Sequence, residues 1–438
     1  MIQEIPYQKE LAKIAQEHNI EAYYVGGLVR DRLLGRASKD IDIVTVGSQP
    51  EVLLKLLRDH INGGEVAVVG RYGTSQLTTP DGVQIEGVRA RAESYDLDSR
   101  KPLVRIGTLQ DDILRRDFTI NCLIAPVSDP ENILDPTGMG LRDLRVGVIR
   151  TPLEPAQTFS DDPLRMLRAV RFATKLEFAI NSTTMNGIRA AAPRMRIISA
   201  ERISAELDKI LLSQAPGRGL ELLADAHLLE QILPEIHTRW ENDGRDIEYD
   251  LDATPADLSL RLAVLFRRTG APNAHTGNQA AVALCRKRLN HLRYPADEVR
   301  LVSKLVDLFP RVYGYNPSAD DTEMRQLIYA AGREMPLAIA LARSCASRLK
   351  SPQPVVWDNL ESRCATLDPK GLICDHVLPL DGEIIMETMG IDSGPAVGEV
   401  KRDLQQAILA GEIQPDDRAQ SLAWLAALRE PTHSDLGL

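Results

Sequence analysis

The stretch VGGLVRDRLLGRASKDIDIVTVG, from Val25 to Gly47, carries two acids separated by one residue, Asp40 and Asp42, in a run rich in β-branched residues. On a strand, residues two apart point to the same face. Two carboxylates held side by side repel each other, and a hard divalent cation such as magnesium removes that penalty. A pair of ions about 3.5–4 Å apart can serve both the attacking and the leaving oxygen of a displacement at phosphorus. Taken alone, the two acids also suit the solvated face of an edge strand. Upstream, Gly26 and Gly27 lie between a short apolar strand and a helix. Glycines let a backbone approach phosphate closely, and a helix N-terminus favours anions. Arg30, one turn into that helix, can reach the same phosphates. Glycines and acids together point to a nucleotide whose phosphates meet metal ions.

Two further stretches suit the rest of a nucleotide. In DDILRRDFTINCLIAP, Asp111 to Pro126, the guanidinium groups of the paired arginines suit triphosphate oxygens. Asp117 and Asn121 can accept from and donate to ribose hydroxyls. By itself, Arg115-Arg116-Asp117 fits a solvated helix start equally well. In SDDPLRMLRAVRFATKLEF, Asp162, Arg165, Arg168 and Arg171 follow at steps of three. The spacing predicts a helix with these four along one slowly spiralling stripe, Ser160 or Asp161 as N-cap and Pro163 in its first turn. A carboxylate such as Asp162 accepts from the exocyclic amino group that cytosine and adenine share, and Arg165 donates to the ring acceptors beside it. Guanine and uracil present the opposite polarity, so such a pair selects C and A without a template. Its plain alternative is an i,i+3 ion pair worth only a few tenths of a kcal/mol.

All three stretches resemble motifs of one family, in that family's order. GGLVRDRLLGRASKDID resembles the first motif of the class II (bacterial-type) tRNA nucleotidyltransferase and poly(A) polymerase family, within the polymerase-beta-like superfamily. The resemblance implies that Asp40 and Asp42 are catalytic and hold two magnesium ions, with Gly26, Gly27 and Arg30 on the incoming triphosphate. The third carboxylate common in the superfamily matches Glu86, in QIEGVRARAESY. The second stretch is similar to the family's RRDFTxNA motif, with Cys122 where alanine is usual. This implies Arg116 on phosphate, with Asp117 and Asn121 near the ribose. The third is similar to EDxxRxxRxxRF, with Asp161 where glutamate is usual. It implies that Asp162 and Arg165 read the base while Arg168 and Arg171 support the nucleotide. ERISAELDKILLS resembles the neck helix that follows, and LPLDGEIIMETMGIDSGPAVGE the C-terminal tail. Residues 235–350 carry no resemblance. The implied activity, most like that of the CCA-adding members, is template-independent addition of C and A to the 3′ end of tRNA from CTP and ATP. Addition of CC alone, of the terminal A alone, or of poly(A) stays open, although bacterial poly(A) polymerases tend to be basic. A catalytically silent RNA-binding module would be free to lose Asp40 and Asp42. A nucleotide-binding signalling protein would have no task for the DDPLR helix or a long arm.

The elements that must position these residues fall into two regimes. Residues 1–150 alternate helical and strand patterns, with strands over Ala22–Val25, Ile41–Val46, Gly64–Val69, Ser75–Thr79 and Gln84–Val88. Beyond residue 150 the spacing is almost wholly helical. The fold class expected is α+β: a polymerase-beta-like head with a mixed sheet (1–150), then an all-helical neck (151–215), body (216–350) and tail (351–438), the helical arm gripping tRNA by shape and phosphates. Arg194, Arg196, Arg202, Arg267, Arg268, Arg286, Lys287 and Arg288 are candidate RNA contacts, and Tyr95–Pro102 reads as a loop that lets the pocket switch from C to A. Breaks are expected near Gln214–Gly217, Gly270–Gly277 and Lys350–Pro354.

Composition fits this reading. Of 438 residues, 44% are hydrophobic, enough for more than one core. No apolar run approaches the ~20 residues a bilayer requires, and the polar start MIQEIPYQKE does not read as a targeting segment, so the cytoplasm is the expected compartment. Five scattered cysteines suit reduced thiols rather than disulfides or zinc. The net charge of −10 argues against a general nucleic-acid binder but allows a local basic stripe.

Overall fold

The computed structural model describes residues 4–37, 40–69, 73–94, 103–268, 278–346 and 354–429. The expected loop at Tyr95–Pro102 and the break at Gly270–Gly277 lie outside them, as does the break at Lys350–Pro354 except for its last residue. The chain divides into two compact units, residues 1–237 and 238–438.

The first unit is built on a mixed sheet. After α1 (Gln8–Glu17) come β1 (Glu21–Val25), α2 (Gly27–Leu33), β2 (Asp40–Val46) and α3 (Pro50–His60). The strands β3 (Glu65–Val69), β4 (Thr74–Thr78) and β5 (Gln84–Arg89) follow, then a small ribbon of β6 (Arg91–Ser94) and β7 (Leu103–Ile106), α4 (Leu109–Leu114) and β8 (Ile124–Pro126). Six strands pair in the order β3-β4-β5-β2-β1-β8, with β2 parallel to β5 and every other neighbour antiparallel. Alternation along β2 decides what faces where. Ile41 and Ile43 are fully buried, whereas Asp40 is exposed and Asp42 partly so. On β5 the same alternation buries Ile85 and exposes Glu86. At Gly87, an added Cβ would lie 2.8 Å from Pro50 Cβ, so this glycine lets α3 press its Leu53, Leu54 and Leu57 face onto the sheet. One face of the sheet is therefore core and the other carries the acids.

Beyond the sheet the unit turns helical: α5 (Gly140–Val146), α6 (Pro155–Asp161), α7 (Leu164–Leu176), α8 (Ser182–Ala191), α9 (Ala200–Leu211), α10 (Pro216–Asp225) and α11 (Leu229–Ile232). A two-residue parallel bridge, β9 (Val148–Ile149) with β10 (Ala179–Ile180), is the one strand pairing among them. The start of α7 differs from the expectation. Ser160 and Asp161 close α6, and Asp162 lies between the helices in extended conformation, φ −141° and ψ 102°. The cause is Pro163, whose ring forces the residue before it out of the helical region. Asp162 itself performs the capping, accepting from the Leu164 amide at 3.1 Å.

Among the described residues the regular elements of the second unit are all helices, from α12 (Pro234–Ala253), which contains the boundary between the units, through α13 (Leu258–Phe266), α14 (Gln279–His291), α15 (Ala296–Tyr313), α16 (Asp321–Ala331), α17 (Met335–Ala346), α18 (Pro354–Leu367), α19 (Gly382–Met389), α20 (Pro395–Ala410) and α21 (Arg418–Arg429). Its core gathers around α15, on which α13, α14 and α17 pack. Arg267, expected as an RNA contact, is instead 1% exposed and paired with the buried Asp250. No helix among the described residues is long and apolar enough to cross a membrane. The five cysteines form no disulfide.

Candidate active site

A cavity of about 570 Å3 in the first unit collects residues from all three motif stretches: Gly26, Gly27, Arg30, Asp40, Asp42, Arg116, Asp117, Asn121, Asp162, Arg165, Arg168 and Arg171. Glu86 stands just outside that lining as the register partner of Asp42 on β5, as Gln84 is of Asp40.

The acidic corner is formed by β2 and the β1–α2 turn. Burial pushes the Asp42 carboxyl up to about 6, and the charges of Glu86 and Asp40 push the same way against the opposing pull of Arg116. Gly26 has φ +68°, a conformation that side chains rarely adopt. A Cβ there would lie 3.2 Å from Arg116 Nη1 and 3.9 Å from Asp42 Oδ2. Backbone, guanidinium and carboxylate thus converge at one point, and only glycine leaves it open. Arg116 is held by Asp112, which is fully buried and also pairs with Arg115. The Arg116 Nε is buried with no hydrogen-bond partner in the protein. An unsatisfied buried donor is costly, and a phosphate oxygen is the natural acceptor for it.

The opposite wall is α7. Arg165 is 8% exposed, and its guanidinium donates to the backbone carbonyls of Arg115 at 2.7 Å and Thr158 at 3.3 Å. Arg168 donates through Nε and Nη2 to one oxygen of Asp117, at 2.8 and 2.5 Å. The other oxygen of Asp117 accepts from Asn121 Nδ2 and the Phe118 amide, both at 2.9 Å. Burial works to raise the Asp117 carboxyl, but the charge of Arg168 and these hydrogen bonds outweigh it and hold the group at about 2. Asn121 in turn accepts from Arg30 Nη1 at 2.6 Å. Arg171 pairs with the buried Glu206 of α9 at 2.5 Å. Asp162 pairs with Arg202, also of α9, at 2.8 Å, and with one contact per oxygen it keeps a free acceptor site on each.

Several lining residues went unassigned in the sequence, among them Asp31, Arg115, Phe172 and Lys175. Lys175 carries a legible signal, since it continues the cationic series of α7 one turn past Arg171. Arg202 drew notice only as one of many basic residues; its partnership with Asp162, forty positions away, is set by helix packing.

Comparison with known proteins fits this geometry. The family profile described as "Poly A polymerase head domain" matches residues 22–150, and one described as "Probable RNA and SrmB- binding site of polymerase A" matches residues 177–239. A CCA-adding enzyme of Anoxybacillus flavithermus is 32% identical over 410 residues, 91% of each chain. The chain belongs to the family of CCA-adding enzymes. Within that family, the enzyme of Geobacillus thermodenitrificans is 29% identical over 427 residues, 96% of each chain. The crystal structure of the Bacillus stearothermophilus CCA-adding enzyme in complex with CTP aligns with a TM-score of 0.74 at 27% identity, over 97% of this chain and 98% of that one.

Proposed function

We propose that this chain adds C and A nucleotides, without a template, to the 3′ end of tRNA in the cytoplasm, taking them from CTP and ATP and releasing pyrophosphate. The observation that carries this reading is that a single cavity holds both the acids of β2 and, across it, the Asp162 carboxylate with free acceptor sites beside Arg165. Arg30, Arg116 and the backbone at Gly26 and Gly27 bind the triphosphate. Asn121 and Asp117 lie on the ribose side, where Asp117 acts mainly by fixing Arg168 and Asn121. Asp162 and Arg165 read the base edge, and Arg168 and Arg171 hold the wall upright. The neck (151–215), body (216–350) and tail (351–438) take the tRNA.

The donor set suits magnesium. No group of three His, Cys, Asp or Glu side chains among the described residues forms a ready-made cage. Magnesium is ordinarily held by one or two carboxylates plus substrate phosphates and water, which is what Asp40 and Asp42 offer, with Glu86 alongside. Two ions are expected, and when bound they would lower the pKa of the tRNA 3′-hydroxyl and polarise the α-phosphate. The residues of the chain itself supply positioning and charge.

The test is to incubate the protein with tRNA ending at its discriminator base and each labelled nucleoside triphosphate in turn. Incorporation of C followed by A is the expected result. Incorporation of C alone or A alone would reduce the proposal to a partial enzyme, long A tails would make it a poly(A) polymerase, and no incorporation would leave a silent RNA-binding module.

A further inference from the structure

The nucleotide cavity adjoins another. Arg171 and Lys175 line it, and both also line a second cavity of about 790 Å3. Around that second cavity stand Arg36, just after α2, Glu177, just after α7, and Lys209 near the end of α9. Four cations face a single lining carboxylate. Arg36 donates to the Lys175 carbonyl at 3.5 Å, and neither side chain pairs with an acid among the described residues. Lys209 shares Glu206 with Arg171 and keeps 56% of its side chain exposed. Like charges gathered this closely favour an anion between them.

The order of residues along α7 says which anion. Asp162 and Arg165 stand at the base-reading end, Arg168 follows on Asp117, Arg171 and Phe172 come next beside Arg30, and Lys175 is last. At about 1.5 Å per residue this runs the length of a nucleotide, from base through ribose to phosphates and beyond. In-line displacement sends the leaving group away from the attacking oxygen. Granting the nucleotidyl transfer proposed above, we infer that the second cavity receives inorganic pyrophosphate on its way out, steered by Arg36, Lys175 and Lys209. In that reaction the bond from O3′ to the α-phosphorus forms. The bond from the α-phosphorus to the bridging oxygen breaks with its electron pair on pyrophosphate, and the hydroxyl proton passes to water.

The test uses the full chain with Arg36→Gln and Lys209→Gln combined, two residues outside the lining of the nucleotide cavity. The assay is pyrophosphorolysis of CCA-ended tRNA, the reverse reaction. The KM for pyrophosphate should rise about tenfold, while the KM for tRNA and the forward KM for CTP stay within about twofold. The Arg36→Lys, Lys209→Arg variant should restore the KM for pyrophosphate, and an unchanged melting temperature shows that the fold is intact. An unchanged KM for pyrophosphate overturns the inference, and so does a rise in the KM for tRNA instead, which would assign the cavity to RNA phosphates. A wild-type chain that neither adds nor removes nucleotides defeats the active-site reading, a separate failure. Calorimetric titration of pyrophosphate into wild type and double variant then judges the cavity, and equal affinities overturn it.

Discussion

Asp42 and Asp117 are the same residue type on the same cavity, and their carboxyls are driven in opposite directions. Burial pushes Asp42 up to about 6, aided by the neighbouring Glu86 and Asp40. Burial works equally against Asp117, yet Arg168 and its hydrogen bonds hold that group at about 2. The difference lies in who supplies the cation. On the α7 side the chain brings its own: Arg168 for Asp117, Arg171 for Glu206, Arg202 for Asp162. On the β2 side it sets Asp42 beside Glu86 and Asp40, whose charges raise its carboxyl, and the pull of Arg116 does not cancel burial and those charges. One wall carries its counter-charges in its own residues, whereas in the function proposed above a divalent cation would complete the other.

Removing the incomplete wall should cost the most. Asp42→Ala is expected to lower nucleotide incorporation by at least about a thousandfold, ~4 kcal/mol of barrier, with the melting temperature held or raised. Incorporation within tenfold of wild type would break the contrast, because Asp42 would then be an ordinary strand acid. The completed wall fails differently. Arg168→Ala strands Asp117, which is 7% exposed, as a buried charge without its partner, and should destabilise the fold by about 3 kcal/mol. Its pH signature follows from the sign of the shift. A carboxyl lowered in the folded state stabilises above its unfolded value near 4 and loses that contribution as pH falls towards 2. Denaturant melts of wild type and Arg168→Ala should therefore converge at acid pH and separate above it.

Asp42→Asn sharpens the comparison with a smaller effect of opposite sign. A carboxyl raised in the folded state costs stability as pH climbs from about 4 through about 6, and the deficit is complete above that. Without divalent ions the Asn variant should be more stable than wild type at pH 8 by about 1–2 kcal/mol, after allowing for solvent in an open site, and equal to it near pH 4. Millimolar magnesium should stabilise wild type and not the variant. If the variant is the less stable of the two at pH 8, then Asp42 is already compensated from within.

These two walls were unequally legible. The acidic one is local: a period-two strand with Asp40 and Asp42 on one face and an adjacent glycine turn can be read from a single stretch. The spacing of α7 is legible too, but its first turn differs from the expectation, because α6 (PAQTFSD) is too short to show a period and its last residues look like caps for α7. Pro163 holds Asp162 outside the helix, which turns it from a stripe member into the cap. The partners that complete the α7 wall are tertiary. Glu206 is 35 positions from Arg171 and meets it only because α7 packs on α9. In the second unit α12 is so polar, PEIHTRWENDGRDIEYDLDA, that periodicity alone did not reveal it, and Arg267 read as a surface cation because its acidic partner Asp250 lies in that helix.

Phe172 is where the completed wall can be tested most finely. It is 6% exposed, meets Phe118 edge-on at 5.8 Å, and has the guanidinium carbons of Arg30, Arg168 and Arg171 at 5.1, 5.4 and 4.1 Å from its ring centre. Three like charges converge on one ring because its faces are electron-rich, and each contact in such a setting is worth about 0.5–1 kcal/mol. Leucine fills most of the same volume without a π-face. Phe172→Leu should therefore destabilise the fold by about 1–3 kcal/mol, raise the KM for CTP about three- to tenfold, and be rescued by tyrosine. A plain packing role would move the melting temperature and spare KM. A Leu variant with unaltered KM would show that the anchors Asp117, Glu206 and Asn121 suffice to hold the arginines, and that the ring is filler.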